Sequence, residues 1–241
     1  MKIIYLDQTD STNRYLHDRH DDDTTGMVAA VADYQTAGRG QGTHTWESAP
    51  GQNLLFSVLI HPQGVKAAEQ FILSEVCALA LKRVLDRYAD DITLKWPNDI
   101  YWRNRKLSGT LIETAVSAAG LKRCIFGVGL NVNQRVFRSD APNPVSLWQI
   151  LGREVDRQRL LHELLDSQQQ HLSRLYEGER TAFREAYHQA LYRREGEHPY
   201  SDAAGMFTAR IDHVADDGHL ILIDTQGRER TYAFGEVKMI I

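Results

Sequence analysis

The chain has 241 residues and a formal net charge of −4, and 42% of its residues are hydrophobic. This length allows one or two domains with a buried core, and the weak negative charge excludes a global attraction to nucleic acid or anionic membranes. Its two cysteines, Cys77 and Cys124, lie in apolar runs and are expected to be reduced core residues. The N-terminus has no secretion signal and no apolar run reaches transmembrane length, so we expect a cytoplasmic protein without a membrane partner.

The first half of the chain predicts an α+β domain. A strand at 2–6 is followed by a polar run and a short helix ending near Arg19, with Asp10 or Ser11 as its N-cap. Apolar runs at 27–34 and 53–60 predict central strands covered on two faces. The clearest helix is 65–88. Further strands follow through tight turns, at 92–95, 100–102, 107–115 and 121–132, and must therefore be antiparallel. We expect a mixed, largely antiparallel sheet with helices on one side.

The second half predicts two helices and then a small all-β unit. The helices are expected at 156–176 and 180–192. Strands are expected at 207–214, 220–224, 229–234 and 237–241, with Asp217-Gly218 and Gln226-Gly227 as hairpin turns. The predicted domains are 1–193, which is catalytic in the interpretation below, and 194–241, a small β-barrel. About 45 residues are marginally stable alone, so the barrel should pack on the first domain.

A glycine-rich stretch lies between Tyr34 and Ser48, where Gly38, Gly40 and Gly42 alternate with Arg39 and Gln41. Such a bare backbone can bring its N–H groups close to an anion, and an arginine can clamp a carboxylate or phosphate. A dinucleotide-binding turn would require a helix after the glycines, but Pro50 and Gly51 disfavour one, and the Gly-Lys-Ser/Thr of a P-loop is absent. A plain surface loop and a lid over a small anionic ligand remain open.

Three other motifs pair a structural interpretation with a functional one. Lys95-Trp96-Pro97-Asn98-Asp99 is a proline-set turn, and Lys106 precedes Gly109 in a strand, which predicts either a solvated hairpin or a ligand close to a strand glycine. Gly127, Gly129 and Asn131 share one face of a strand, which would suit a flat ligand or a packed helix. Asp10-Ser11-Thr12-Asn13 could cap a helix, bind a polar ring carbonyl, or do both.

The chemistry indicated is positioning of charged groups. We find no Ser/His/Asp triad, close Cys/His pair or carboxylate dyad, and the His17/His20 spacing beside Asp21-Asp22-Asp23 is more typical of a solvated helix end than of a metal site. Such a site favours reactions whose barrier falls through positioning and electrostatics, as in nucleotidyl transfer.

Together, in this order and spacing, the four motifs resemble those of the biotin–protein ligases, and the likeness spans nearly the whole chain. The resemblance implies a class II aminoacyl-tRNA synthetase-like catalytic domain and an SH3-like C-terminal barrel. It implies that biotin's carboxylate attacks the α-phosphate of MgATP to give biotinoyl-5′-AMP, whose biotin passes to a lysine of a biotin carboxyl carrier domain. ATP and Mg²⁺ are thus the expected cofactors, and monomers and homodimers both occur in the family.

The resemblance also implies roles for individual residues. Biotin-binding roles fall on Ser11, Thr12, Asn13, Gln35, Gly38, Arg39, Gly40, Lys106, Gly109, Gly127 and Gly129. ATP or adenylate contacts fall on Arg39, Trp46, Asn98, Lys106 and Asn131, and catalytic roles on Arg39, Lys95, Asp99 and Lys106. No protein metal cluster is implied, although Mg²⁺ could bind with ATP near Asp99. Only about 1 in 2,500 acceptor lysines is uncharged at pH 7, so Asp99 is the expected proton acceptor.

The sequence departs from the family pattern in two places. It begins at the first catalytic strand, without the winged helix of repressor-type members, so no nucleic-acid partner is expected. Its loop reads Gln41-Gly42-Thr43-His44 where the family commonly has a further arginine, which leaves Arg39 as the only Lys or Arg between Met27 and Lys66. We therefore expect faster loss of biotinoyl-AMP and a loop that is mobile without ligand.

Two alternative functions and one open role remain at this point. A lipoate–protein ligase would share the fold and the adenylation chemistry, and a non-catalytic biotin sensor would bind biotin without forming AMP. The barrel could serve ATP binding or acceptor docking, and Phe234, Glu236 and Lys238 are its suggestive residues.

Overall fold

The computed structural model describes residues 1–19, 26–42, 44–117, 120–138 and 143–241. His20, Asp21-Asp22-Asp23 and Thr43, named above, lie outside these residues. The first part of the chain forms β1 (Lys2–Thr9), α1 (Thr12–Arg19), β2 (Val28–Gln35), β3 (Leu54–Ile60), α2 (Phe71–Leu85), β4 (Ile92–Lys95), β5 (Asp99–Trp102), β6 (Arg105–Ser117) and β7 (Gly120–Leu130). The remainder forms α3 (Leu147–Leu151), α4 (Arg157–Tyr176), α5 (Arg180–Gln189), β8 (His198–Asp202), β9 (Gly205–Val214), β10 (Leu220–Asp224), β11 (Glu229–Tyr232) and β12 (Lys238–Met239).

The larger sheet has seven strands in the order β1-β2-β3-β7-β6-β5-β4. Strands β1 and β2 pair in parallel, because the connection through α1 returns the chain to the same end of the sheet. All other neighbours are antiparallel. The predicted mixed, largely antiparallel sheet is therefore confirmed.

Helices cover both faces of this sheet, so the expectation of helices on one side was wrong for α1. Leu16 of α1 packs with Val28 and Ala30 of β2 and with Leu59 and Ile125. The alternate side chains of the same strands face the larger core, which contains residues of α2, α4 and α5. The first five residues of β2 and every residue of β3 are buried, and strands of this kind require cover on two faces.

The helices follow the predicted pattern with shorter ends. Residues 65–88 divide into a 3₁₀ turn at Ala67–Glu69 and then α2. Helix α4 begins after Asp156, whose carboxylate accepts hydrogen bonds from the N–H groups of Gln158 and Arg159, as an N-cap does. Helix α5 ends at Gln189 rather than at 192. Helix α3, only five residues long, and β8 were not predicted.

The C-terminal residues form a separate five-stranded antiparallel sheet in the order β11-β10-β9-β8-β12. Both predicted hairpin turns are present, with Gly218 at φ 93° and Gly227 at φ 76°. This sheet packs on the first one, since Trp96 Nε1 donates to the carbonyl oxygen of Gly218 at 2.9 Å and Tyr200 belongs to the main core. The domain boundary at 193/194 stays a prediction.

The remaining general expectations concern thiols, metals and membranes. Cys77 and Cys124 are buried free cysteines, and burial raises the pKa of Cys77 to about 12. Within the described ranges, no group of three or more His, Cys, Asp or Glu side chains could hold a metal ion. None of the helices described is both long and apolar enough to cross a membrane.

Candidate active site

A floor of glycines lies on the face of the large sheet that α1 covers. Gly109 of β6 pairs directly with Gly129 of β7, and Gly127 lies two residues along the same strand. An ideal Cβ on Gly129 would lie 2.4 Å from Cε2 of Trp46, and one on Gly127 would lie 2.0 Å from Oδ1 of Asn13. Both distances are far inside van der Waals contact, so both positions require glycine.

These contacts agree with the packed-helix interpretation of the glycine stripe at one position, and the flat-ligand interpretation stays a prediction. At Gly127 a helix side chain packs on the sheet, because Asn13 belongs to α1. At Gly129 the indole of Trp46, from the glycine-rich loop, lies on the backbone. Trp46 Nε1 is buried and has no hydrogen-bond partner among the residues that the structure describes. The floor is therefore bordered by α1 at one end and by the loop at the other.

A bulge in β6 directs Lys106 to this floor. Tyr101 pairs with Lys106 but Ile100 pairs with Ser108, so Leu107 is an extra residue opposite β5. Because a bulge changes the direction of neighbouring side chains, the Nζ of Lys106 comes within 3.2 Å of an ideal Cβ on Gly109. The carbonyl oxygen of Leu107, in the bulge, accepts a hydrogen bond from the N–H of Asn131, which follows the end of β7.

Lys106 forms a tight ion pair at the floor. Its Nζ lies 2.7 Å from Oδ1 of Asp99, whose side chain is only 15% exposed, and 5.7 Å from the centre of the Trp46 ring. Asp99 is also the cross-strand partner of Gly109, which explains why the two charges meet there. The structure thus brings together Lys106, Asp99, Gly109, Gly129 and Trp46, and their roles toward a ligand stay predictions.

The N-terminal end of α1 is built from converging polar groups. The Oε1 atom of Gln35 accepts hydrogen bonds from N and Oγ1 of Thr12, at 2.7 and 3.0 Å. The hydroxyl of Ser57 lies 2.6 Å from Oγ1 of Thr12 and 2.5 Å from Oδ1 of Asn13. Asp10 accepts from the N–H of Ser11 at 2.7 Å. The first N–H of α1 is thus bound by Gln35 of β2 and not by the side chain of the expected cap, Asp10 or Ser11. Ser57 was missed because nothing local in β3 marks it.

A single carboxylate joins this helix end to the glycine-rich loop. Oε2 of Glu113 accepts from Nδ2 of Asn13 at 2.7 Å, and Oε1 accepts from Nη2 of Arg39 at 3.3 Å. Asp10, Ser11, Arg14, Arg39 and Glu113 line an open cavity of about 370 Å³ at this point. Sequence reasoning missed Glu113, because its partners lie 100 and 74 residues away.

The glycine-rich loop folds as a small hairpin. The N–H of Trp46 donates to the carbonyl of Gly38 at 3.0 Å, and the N–H of Gly40 donates to the carbonyl of His44 at 2.7 Å. An ideal Cβ on Gly38 would lie 2.9 Å from the carbonyl oxygen of Trp46, so the close approach requires glycine there. The mobility of Gln41, Gly42 and His44 stays a prediction.

The end of the loop is fixed by an amide network that sequence reasoning also missed. Nδ2 of Asn53 donates to Oε1 of Gln134 at 2.7 Å and to the Ser48 hydroxyl at 3.1 Å. The same Gln134 oxygen accepts from the N–H of Ala49 at 2.9 Å. Asn53 also accepts from the N–H of Val132 at 2.9 Å, so the loop is attached to the end of β7.

Three predicted residues have structural partners. The Nδ2 of Asn98 donates to the carbonyl of Thr110, which attaches the proline-set turn to β6. Asn131 is buried and donates to the carbonyl of Val145 at 3.1 Å. Lys95 lies over the Tyr101 ring, with 5.3 Å between Nζ and the ring centre, and burial lowers the pKa of its ammonium group. Lys95 thus lies beside the Asp99–Lys106 pair.

The arrangement places one cation near the α1 end of the floor and another at Gly109. Arg39 reaches in from the loop and Lys106 from the sheet, and each is paired with one carboxylate. Between them lie the three floor glycines, which are covered by the side chains of Asn13, Trp46 and Lys106. Lysine and arginine at such a floor can hold carboxylate and phosphate oxygens close to each other.

Comparison with known proteins agrees with this geometry. The family model described as the biotin/lipoate A/B protein ligase family matches residues 5–131. The bifunctional ligase/repressor BirA of Salmonella typhimurium is 36% identical over 167 residues, which cover 68% of this chain and 51% of that protein. The biotin–[acetyl-CoA-carboxylase] ligase of Mycobacterium tuberculosis is 35% identical over 167 residues, covering 66% and 59%.

A solved structure extends the similarity to the whole fold. The biotin protein ligase from Aquifex aeolicus in complex with biotin and ATP superposes with a TM-score of 0.81 at 27% identity, and the match covers 99% of each chain. The chain spans about half the length of the BirA relative named above. Because the family model matches more than half of the residues and includes the glycine floor, the chain belongs to the biotin/lipoate A/B protein ligase family.

Proposed function

We propose that this chain is an ATP-dependent biotin–protein ligase, which adenylates biotin to biotinoyl-5′-AMP and transfers biotin to a lysine of a biotin carboxyl carrier domain. The observation that carries the proposal is the placement of two cations: Lys106 lies at Gly109, and Arg39 pairs with Glu113, which binds the Asn13 side chain over Gly127. Two anions must meet in the first step, the carboxylate of biotin and the α-phosphate of ATP. Each repels the other unless fixed positive charge lies between them.

The biotin site is proposed at the α1 end of the floor. Ser11, Thr12, Asn13 and Gln35 converge there, and a ureido group needs such donors and acceptors around its carbonyl and N–H groups. Gly127, Gly129 and Gly109 would contact the flat ring system and the chain, Gly38 and Gly40 would close over them, and Lys106 would bind the carboxylate. The support is that Gln35 and Lys106 lie at opposite ends of the same floor.

The nucleotide is proposed to lie on the loop side. Arg39 would contact the α-phosphate, and the exposed part of the Trp46 ring would stack on the adenine. Asn98 and Asn131 are included for their places at the ends of β5 and β7, although each has one amide hydrogen bond to the backbone already. Lys95 would add positive charge behind Asp99 and Lys106.

The residues present fit a Mg²⁺ that arrives with ATP. Mg²⁺ is commonly bound by one or two carboxylates together with substrate phosphates, and Asp99 is a partly buried carboxylate at the floor. Asp99 would hold such an ion, which would supply neutralisation of phosphate charge.

In the transfer step, the amine of the acceptor lysine attacks the carbonyl carbon of the mixed anhydride, and AMP leaves. The amine must give up a proton, and Asp99 is the proposed acceptor for it. Lys106 and Arg39 would stabilise the negative charge that develops on the leaving phosphate. The carrier domain is thus the proposed macromolecular partner. As part of the same proposal, the larger sheet belongs to the class II synthetase-like fold and the smaller one is an SH3-like barrel.

A pyrophosphate-release assay tests the proposal. The chain is incubated with ATP, biotin and a carrier domain, and pyrophosphate, AMP and biotinylated carrier are measured. We expect all three products to form with biotin and none with lipoate. Activity with lipoate alone would identify a lipoate ligase instead, and biotin binding by calorimetry without AMP formation would identify a sensor.

A further inference from the structure

The two cations of the site differ in how firmly they are paired. Nζ of Lys106 lies 2.7 Å from Asp99, and the two side chains are 31% and 15% exposed. Nη2 of Arg39 lies 3.3 Å from Glu113, and these side chains are 49% and 38% exposed. Because solvent screens exposed charges, the Arg39–Glu113 pair is the weaker one and the easier to exchange.

Glu113 keeps a partner when Arg39 leaves. Its other oxygen accepts from Nδ2 of Asn13 at 2.7 Å, and this amide belongs to the buried end of α1. The Asn13 side chain accepts a hydrogen bond from the Ser57 hydroxyl, and it packs on the backbone of Gly127. The carboxylate is therefore fixed by the scaffold, whereas the guanidinium belongs to the loop. An incoming anion can displace Glu113 from Arg39 without leaving a polar group unsatisfied.

We propose that Glu113 is the exchangeable counter-ion of Arg39 and that competition between Glu113 and the ligand's phosphate sets how fast the acyl-adenylate leaves the site. This inference rests on the proposed function. Glu113 is a positioning residue in this scheme, since it acts on the ligand through Arg39. Its effect should be largest for a phosphate bound by Arg39 and small for ligands that make no contact with Arg39.

The variant Glu113→Gln tests the competition. Glutamine keeps an oxygen that can accept from Asn13, but it removes the negative charge that holds Arg39. In a single-turnover experiment, biotinoyl-AMP is formed on the enzyme, and its release is followed after dilution into unlabelled ligand. We expect release to slow by about two- to five-fold, the range that an exposed ion pair supports, with the difference shrinking at high salt.

Two controls separate this role from a structural one. In the Arg39→Ala background, Glu113→Gln should leave the release rate unchanged, because its effect acts through the guanidinium. Asp18→Asn removes a carboxylate that lines the same cavity but pairs with Arg14 at 3.5 Å, and it should leave release unchanged in either background. Equal release from the parent and Glu113→Gln would overturn the proposal, as would an equal effect with and without Arg39.

A binding measurement keeps this inference distinct from the proposed activity. Calorimetry with 5′-AMP requires no chemistry, and Glu113→Gln should bind AMP about two- to five-fold more tightly only when Arg39 is present. If no pyrophosphate forms but AMP binding changes in this way, the ligase activity is refuted and the counter-ion role stands. If pyrophosphate forms while AMP affinity and release are both unchanged, the counter-ion role is refuted and the activity stands.

Discussion

Trp46 lies directly on Gly129, with its Cε2 atom 2.4 Å from where a Cβ on that glycine would be. The contact joins the glycine-rich loop to the centre of the large sheet. A side chain at position 129 would overlap the indole, so this contact requires glycine there. The position of the loop therefore depends on a missing side chain in β7.

Gly129→Ala should weaken ligand binding by displacing this indole. Overpacking of this kind costs about 1–3 kcal/mol, so we expect the Kd for biotin to rise by about tenfold in calorimetry. Gly109→Ala is the graded comparison, since its Cβ would meet Trp46 and the flexible end of Lys106 only at 3.2 Å. Equal losses in the two variants would contradict the contact with Trp46 as the cause.

Gly127→Ala should show that Asn13 and the floor are packed against each other. The new Cβ would lie 2.0 Å from Oδ1 of Asn13, so α1 or β7 must shift, and the free energy of unfolding should fall by about 1–3 kcal/mol in urea titrations. Truncation at Asn13 removes the overlap. We therefore expect the Gly127→Ala/Asn13→Ala double variant to lose less than the sum of the two single variants, and strict additivity would argue against the contact.

Lys106→Ala should abolish adenylation with the fold intact. Loss of one preorganised charge costs about 10²–10³ in rate, and pyrophosphate release should fall by that factor. Lys66→Ala serves as the control, because its side chain is 81% exposed and pairs with Glu69, outside the proposed site. A thermal unfolding curve close to that of the parent establishes folding, and near-normal turnover by Lys106→Ala would refute the assignment.

The Glu75 carboxyl, which lies outside the proposed site, should make the free energy of unfolding depend on pH. Burial raises the pKa of this carboxyl from 4.5 to about 7, and its Oε2 is buried with no hydrogen-bond partner in the described part of the chain. Between these two values the folded state binds more protons than the unfolded state, so the free energy of unfolding falls as pH rises from about 4.5 to 7. Above pH 7 Glu75 is charged in both states, so the full cost of burying its carboxylate lowers the stability of the folded state.

Glu75→Gln should remove that penalty. We expect the variant to be more stable than the parent at pH 8, by at most about 3 kcal/mol, and much closer to it at pH 5, as measured by urea denaturation. Glu185→Gln, on the exposed side of α5, is the matched control and should change neither value. A constant difference between Glu75→Gln and the parent across this pH range would exclude titration of Glu75 as the cause.

The parts of the site that sequence reasoning predicted are those with a local signal. Alternation along one strand was enough to place Gly127 and Gly129 on one face, and the polar run before α1 was enough to place Thr12 at a helix start. The cover on both faces of β2 and β3 was also visible in their unbroken apolar runs, although the helix that provides it on the second face was not assigned.

The parts that were missed depend on long-range pairing. No sequence pattern around Glu113 distinguishes it from other polar residues in strands. Its place in the site follows only from its hydrogen bonds to Asn13 and Arg39. The bulge at Leu107 arises from the register between β5 and β6, which neither strand determines alone. Gln134 and Asn53 become a loop anchor only because β3 and β7 are neighbours in the sheet. Tertiary pairing therefore decided these features.

If the proposed ligand binds Gln35, the hydrogen bonds from Thr12 to Gln35 would make ligand occupancy and fraying of α1 parts of one equilibrium. Any molecule that takes Oε1 of Gln35 for itself uncaps the first turn of α1, so part of its binding energy is used at the helix end. Linkage is reciprocal, so a sequence change that strengthens the first turn of α1 also changes the affinity of the site. The exchange rate of the Thr12 amide proton with solvent would consequently report which fraction of the protein is loaded.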